Sequence, residues 1–244
     1  MSTSSPLLVL AFPGLDGTGD LLVDFARLAP TGIRLQVQPL PQTDDQSYET
    51  LVELLCDVVE AAGPCVLLGE SFSGPLVTLL ARRCPEQVQG VVYAASFVTS
   101  PEWPITRWLP SELMFGLPLS YTLARWLFSG YDASREHLAM LDRTIHSVPA
   151  AVLAARLRAA VDVDVRAELS SLECPVGALV PTEDQLIPHH CLTLMQEVRD
   201  DLLVRRLPGP HLVLERYPQE CWWELIAMFT DWGLIALPHS EDET

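Results

Sequence analysis

The stretch from Cys65 to Ala81 admits few folds. An apolar run, Cys65-Val66-Leu67-Leu68, leads into the turn Gly69-Glu70-Ser71-Phe72-Ser73-Gly74, which opens directly into Pro75-Leu76-Val77-Thr78-Leu79-Leu80-Ala81. The first run reads as a buried strand and the last as an amphipathic helix. A strand that turns this sharply into a helix lifts one side chain out of the sheet at the helix N-terminus, where an adjacent base can activate a hydroxyl. The residues two before and two after that serine must be small, because the turn presses strand and helix backbones together. Gly69 meets the demand; Ser73 stands where glycine is ideal, with Gly74 beside it to relieve the crowding. Glycine and serine are also ordinary turn residues, so this match alone leaves a plain turn as the competing reading.

The remainder of the chain weighs against the plain turn. A serine nucleophile needs a histidine base, and the histidine needs a carboxylate to fix its tautomer. In a strand–elbow–helix fold the order along the chain is serine, then acid, then histidine, each on a loop after a strand. Pro175-Val176-Gly177-Ala178-Leu179-Val180 reads as a buried strand, and Pro181-Thr182-Glu183-Asp184-Gln185-Leu186-Ile187-Pro188 follows as a loop with carboxylates at its centre. Another strand, Leu202 to Leu207, is followed at once by Pro208-Gly209-Pro210-His211-Leu212. Order, strand-end placement and residue type all agree.

On these motifs the chain resembles the α/β-hydrolase superfamily over nearly its whole length. Phe12-Pro13-Gly14-Leu15-Asp16-Gly17-Thr18-Gly19 resembles that family's oxyanion loop, with Pro13 where a histidine often stands. Asp162-Val163-Asp164-Val165-Arg166, with Leu169, Leu172 and Cys174-Pro175, resembles the return from a cap into the core. Asp184-Gln185-Leu186-Ile187-Pro188 resembles the acid loop, although Pro181-Thr182 replaces its usual glycine, and Pro208-Gly209-Pro210-His211 resembles the histidine loop. The resemblance implies Ser71 as nucleophile, Asp184 as acid, His211 as base, and the backbone N–H groups of Leu15 and Phe72 as the oxyanion hole. It implies no metal and no organic cofactor.

Strand–helix alternation predicts an α/β fold: a six-stranded, mainly parallel sheet with helices on both faces and no N-terminal antiparallel hairpin. The expected strands are Leu7–Phe12, Ile33–Gln38, Cys65–Leu68, Gln89–Ala94, Val176–Val180 and Leu202–Leu207. The expected helices are Leu21–Leu28, Tyr48–Ala62, Gly74–Arg83, His190–Val198 and one from about Gln219 to Leu234. At 244 residues, one core with an insertion is more economical than two domains. The expected division is a core of residues 1–96 and 169–238, a helical cap of residues 97–168 and an acidic tail of residues 239–244. The cap holds Trp103, Trp108, Met114, Phe115, Tyr121, Trp126, Phe128, Tyr131 and Met140 between repeated prolines, which suits short amphipathic helices. Trp103, Trp108 and Trp126 are the candidate substrate contacts. The competing reading, that most of these aromatics fasten the cap to the core, takes the larger share of them.

A formal charge of −17 argues against nucleic acid and disfavours polyanionic substrates. The start of the chain lacks a basic leader, and the first apolar run is too short to span a bilayer. A cytoplasmic protein without stable membrane insertion is therefore expected; its oligomeric state is left open. The six cysteines show no C-x-x-C spacing and read as free buried thiols. His189-His190 invites a metal reading beside Glu183 and Asp184, but neighbours on a helix point about 100° apart and do not form a ligand face. The function these features favour is hydrolysis of a small, largely apolar carboxylic ester through an acyl-enzyme. Acyl transfer or lyase chemistry with the same groups remains the nearest alternative, and a low-turnover binding protein of the same fold stands in a different class.

Overall fold

The computed structural model describes residues 5–101, 115 and 117–236. Its sheet consists of β1 (Leu7–Phe12), β2 (Ile33–Val37), β3 (Cys65–Glu70), β4 (Val88–Ala94), β5 (Val176–Pro181) and β6 (Leu203–Leu207). All five pairings are parallel, in the order β2-β1-β3-β4-β5-β6. β1 and β3 are buried along their whole length, which is why their sequences are unbroken apolar runs; β2, at the edge, alternates in exposure. Side chains divide between the two faces with the strand period. Leu8, Leu10, Phe12 and Leu67 pack on one face beneath α2 (Tyr48–Ala62) and α3 (Ser73–Arg83). Leu7, Val9, Ala11, Val66 and Leu68 pack on the other against α1 (Val23–Arg27) and the terminal helix. On that second face Trp222 stacks on Phe25 with centroids 4.6 Å apart and donates its indole N–H to the Phe25 carbonyl at 2.9 Å. Each large apolar side chain buried in these layers contributes roughly 2 kcal/mol.

Between β4 and β5 lie α4 (Tyr121–Ala124), which runs on as a π-helical turn over Arg125–Ser129, then α5 (Arg135–His146), α6 (Ala150–Asp162) and α7 (Arg166–Ser170). An antiparallel bridge, Thr99 to Asp164, closes the base of this excursion. After β5 come α8 (His189–Val198), β6, α9 (Val213–Arg216) and α10 (Pro218–Asp231).

Several boundaries differ from the sequence expectation for local reasons. The helix expected over Leu21–Leu28 is a 3-10 turn, Asp20–Leu22, followed by the short α1, entered from Gly19 at φ 82°. α10 stops at Asp231 instead of Leu234 because Gly233 turns left-handed at φ 71°, and the N–H groups of Gly233 and Leu234 cap the carbonyls of Thr230 and Phe229. β3 continues past Leu68 to Glu70, still paired with β4. α9 was not expected, since four residues are too few to show a helical period. Among the described residues no helix is long and apolar enough to cross a membrane.

Candidate active site

The strand order reverses at β1: the chain steps to β2 on one side and then crosses back to β3 on the other. The loops leaving β1 and β3 therefore both emerge beside this reversal at the carboxyl edge of the sheet, the place where open α/β sheets bind ligands. The first of these loops is Pro13–Gly19 and the second carries Ser71.

Ser71 has φ of 48°, a left-handed conformation that a non-glycine residue keeps only where its surroundings enforce it. Its N–H donates to the Ala94 carbonyl at 2.9 Å, and its own carbonyl accepts from the Ser96 hydroxyl at 2.5 Å and from the Gly74 N–H at 3.2 Å. A Cβ on Gly69 would lie 2.5 Å from the Ser73 carbonyl oxygen, and one on Gly74 would lie 2.0 Å from Ser96 Oγ. The turn's need for small residues thus falls on Gly69 and Gly74. Ser73 is tolerated because its hydroxyl has a partner, the Pro13 carbonyl at 2.6 Å, which ties the elbow to the loop after β1. Tyr48 stacks on Phe72 and donates its hydroxyl to the Phe72 carbonyl at 2.8 Å, fixing the peptide between Phe72 and Ser73.

His211 Nε2 lies 2.9 Å from Ser71 Oγ, and its Nδ1 lies 2.9 Å from Asp184 Oδ2. The other Asp184 oxygen accepts from the N–H groups of Leu186 at 2.7 Å and Ile187 at 2.9 Å, so the loop holds the carboxylate in one orientation. Burial alone would lower the His211 pKa; the charge and hydrogen bond of Asp184, joined by the charge of Glu70, outweigh it and raise the pKa above its ordinary value. Glu183 is exposed and takes part in this loop through its backbone, its N–H donating to the Gly209 carbonyl at 2.9 Å. The N–H groups of Leu15 and Phe72 donate to no described residue.

A model of the Alpha/beta hydrolase family matches residues 5–222. The chain belongs to the alpha/beta hydrolase family. Across 193 residues it is 30% identical to a pimeloyl-[acyl-carrier protein] methyl ester esterase of Aeromonas salmonicida, covering 73% of this chain and 71% of that one. The same named enzyme from Sodalis glossinidius is 31% identical over 191 residues, 70% of this chain and 73% of that one. Among solved structures, the enol-lactonase of Burkholderia xenovorans superposes with a TM-score of 0.76 at 12% identity, over 94% of both chains, a likeness of fold. Within the family this chain is an esterase-like hydrolase.

Two groups in this alpha/beta hydrolase were not singled out from sequence. Arg156 of α6 is fully buried and holds the loop after β1 from beneath: it donates to the carbonyls of Leu15 at 3.0 Å, Asp16 at 2.7 Å and Pro41 at 3.1 Å, and to Gln46 Oε1 at 2.8 Å. Burial pulls its pKa down to about 10, with Asp16 acting in the opposite direction. Its sequence signal is an arginine, with Arg158 two residues on, interrupting the otherwise apolar stretch Ala150–Val161. Glu70, between Gly69 and Ser71, is 3% exposed, and its signal is an acid at the end of a wholly apolar strand.

Of the tryptophans expected to contact substrate, Trp103 and Trp108 lie outside the described residues. Trp126 is 46% exposed. Among the described residues, the aromatic whose ring meets the His211 imidazole is Phe128, edge-on at 6.4 Å, and its carbonyl accepts from the Leu212 N–H at 2.8 Å. Leu15 packs beside Phe115, Val148 and Val152, so the loop after β1 is covered by the excursion between β4 and β5. His189 and His190 are both exposed at the start of α8. Cys56, Glu60 and Cys84 gather within 4.8 Å. The two sulfurs are only 3.1 Å apart, closer than the ~3.8 Å that two thiolates on one tetrahedral zinc would keep. That cluster lies at the far end of α3 from Ser71.

Proposed function

We propose that this protein is a serine hydrolase that cleaves a carboxylic ester of a small, largely apolar substrate through an acyl-enzyme. Ser71 attacks the ester carbonyl as His211 takes its proton, and Asp184 steadies the imidazolium. The N–H groups of Leu15 and Phe72 stabilise the oxyanion, and His211 returns its proton to the departing alcohol. Water, activated by the same imidazole, then releases the acid. The observation that carries this reading is the pair of 2.9 Å contacts running from Ser71 Oγ through His211 to Asp184 Oδ2.

The relatives' name adds the leaving group to be tried first. Both are methyl ester esterases, so methyl esters of graded acyl length are the natural substrates to compare with neutral p-nitrophenyl esters. The formal charge of −17 favours an uncharged acyl group over an anionic one. Residues 97–168 are the proposed cap, with its aromatics shaping the acyl site.

A fluorophosphonate probe tests the assignment directly. Mass spectrometry of the digest should find the adduct on Ser71. Labelling that persists in Ser71→Ala, or that maps to Ser73, rejects it. Turnover should rise nearly fourfold in kcat/KM for each methylene the acyl site accepts, given roughly 0.8 kcal/mol per buried methylene. A flat profile across chain lengths would count against an acyl site under the cap.

A further inference from the structure

The carboxyl of Glu70 stands immediately behind the nucleophile. Its Oε2 accepts from the Gly14 N–H at 3.2 Å, while its Oε1 is buried with no donor among the described residues. The carboxyl of Glu215, brought in by α9, lies against it, with both oxygens shut from solvent and no described donor near them beyond its own backbone N–H. Ionised carboxylates can only accept hydrogen bonds, so two of them side by side leave each other unsatisfied and repel. One proton between them changes this: one carboxyl becomes the donor, the other the acceptor, and a single charge is buried instead of two.

The surroundings say which carboxyl keeps the charge. Glu70 has the Gly14 N–H and faces His211; Glu215 has neither. Asp16, on the loop after β1, adds negative charge beside both, its own carboxylate accepting from the Thr18 N–H and hydroxyl. Cys221 on α10 faces Glu215 and donates to the Val213 carbonyl. Among the described residues, no arginine stands among the main groups that shift either glutamate. Burial, first, raises the pKa of both; for Glu215 the charge of Glu70 adds to it, whereas for Glu70 the hydrogen bond with Glu215, His211 and the Gly14 N–H act against it.

We propose that Glu70 and Glu215 hold one proton between them, carried by Glu215, so that Glu70 stands as a second anion behind Ser71, steadying protonated His211 and fixing Gly14 of the oxyanion loop. Both are positioning residues, and the proposal rests on His211 being the base. As Ser71 gives its proton to His211, the imidazolium gains the field of Glu70 as well as the direct contact with Asp184; the shared proton stays on Glu215. A glutamine at position 70 would accept from Gly14 equally well, so the fold does not by itself account for an acid there.

Glu70→Gln separates the two roles, because it keeps the Gly14 acceptor and removes the charge. The His211 titration, followed by isotope-edited NMR without substrate, should move to lower pH by about half a unit or more. The acid limb of kcat/KM should follow it, and kcat should fall more than KM changes. Infrared difference spectra of the wild type at neutral pH should contain the C=O stretch of a protonated carboxyl that Glu215→Gln removes. An unmoved His211 titration in Glu70→Gln, or no protonated carboxyl in the wild type at neutral pH, overturns the proposal. The infrared measurement stands even if Glu70→Gln fails to fold. Neither spectroscopic readout needs turnover, so a failure of the esterase reading would appear separately, as absent Ser71 labelling.

Discussion

Arg156 donates to the carbonyl oxygens of both Leu15, at 3.0 Å, and Asp16, at 2.7 Å, so a helix from the far half of the chain sets the loop that faces Ser71. Gly17 leaves the room for this: a Cβ there would lie 2.2 Å from the guanidinium. The loop's shape is thus imposed by a side chain outside it.

Arg156→Ala should accordingly strip buried carbonyls of their donor and cost about 3 kcal/mol of stability. Arg156→Lys, which keeps the charge without the planar fork, should recover only part of it. Thermal melts check the stability, and ester kinetics should show kcat falling more than KM rises if the loop supplies the Leu15 N–H. Unchanged melting in Arg156→Ala would mean the loop holds its shape unaided.

Asp184→Asn should preserve the fold and lower kcat by on the order of 10⁴, the loss expected when the imidazole is left in the wrong tautomer. Glu183→Gln, whose carboxylate is exposed, should change kcat only a few-fold. Paired steady-state assays decide it, and the reverse ranking would move the acid to Glu183.

Gly69→Ala places a methyl 2.5 Å from the Ser73 carbonyl oxygen, a backbone atom that cannot swing aside. A loss of roughly 1–3 kcal/mol is expected from the forced shift, with activity falling as the elbow opens. Denaturant titration beside probe labelling of Ser71 measures both effects.

The pH dependence follows from the raised pKa of His211. A general base works as the neutral imidazole, so kcat/KM should fall as pH drops through that raised value. Asp184→Asn removes the charge and hydrogen bond that contribute most to raising it, leaving burial opposed by the charge of Glu70 alone, and should carry the acid limb to lower pH. For stability the sign is opposite: the folded state binds the proton more tightly. The contribution is therefore fully present below the unfolded value and is lost as pH rises through the folded one. Melting temperatures across that window, wild type against Asp184→Asn, should converge as pH increases; a growing gap would contradict the assignment.

Much of this architecture was legible along the chain because it is encoded locally. Leu7–Phe12 and Tyr48–Ala62 occupy the spans expected of them, since an unbroken apolar run marks a strand buried on both faces and a sustained helical period marks α2. Ser71, Asp184 and His211 could be picked out in order because each follows a recognisable strand. α9 gave no such signal, and α10 stops three residues short of its expected end because Gly233 takes a left-handed conformation.

What the sequence determined by itself was the run of strands and helices and the three groups at their ends, all properties of near neighbours. Only the tertiary structure decided that Phe128 rather than Trp126 meets the imidazole, that Arg156 underpins the loop after β1, and that Glu70 and Glu215 meet out of reach of water. A charged residue reads as a surface residue until the chain folds over it. Its burial depends on partners 140 residues away for Arg156 and Asp16, and no local pattern records such a pairing.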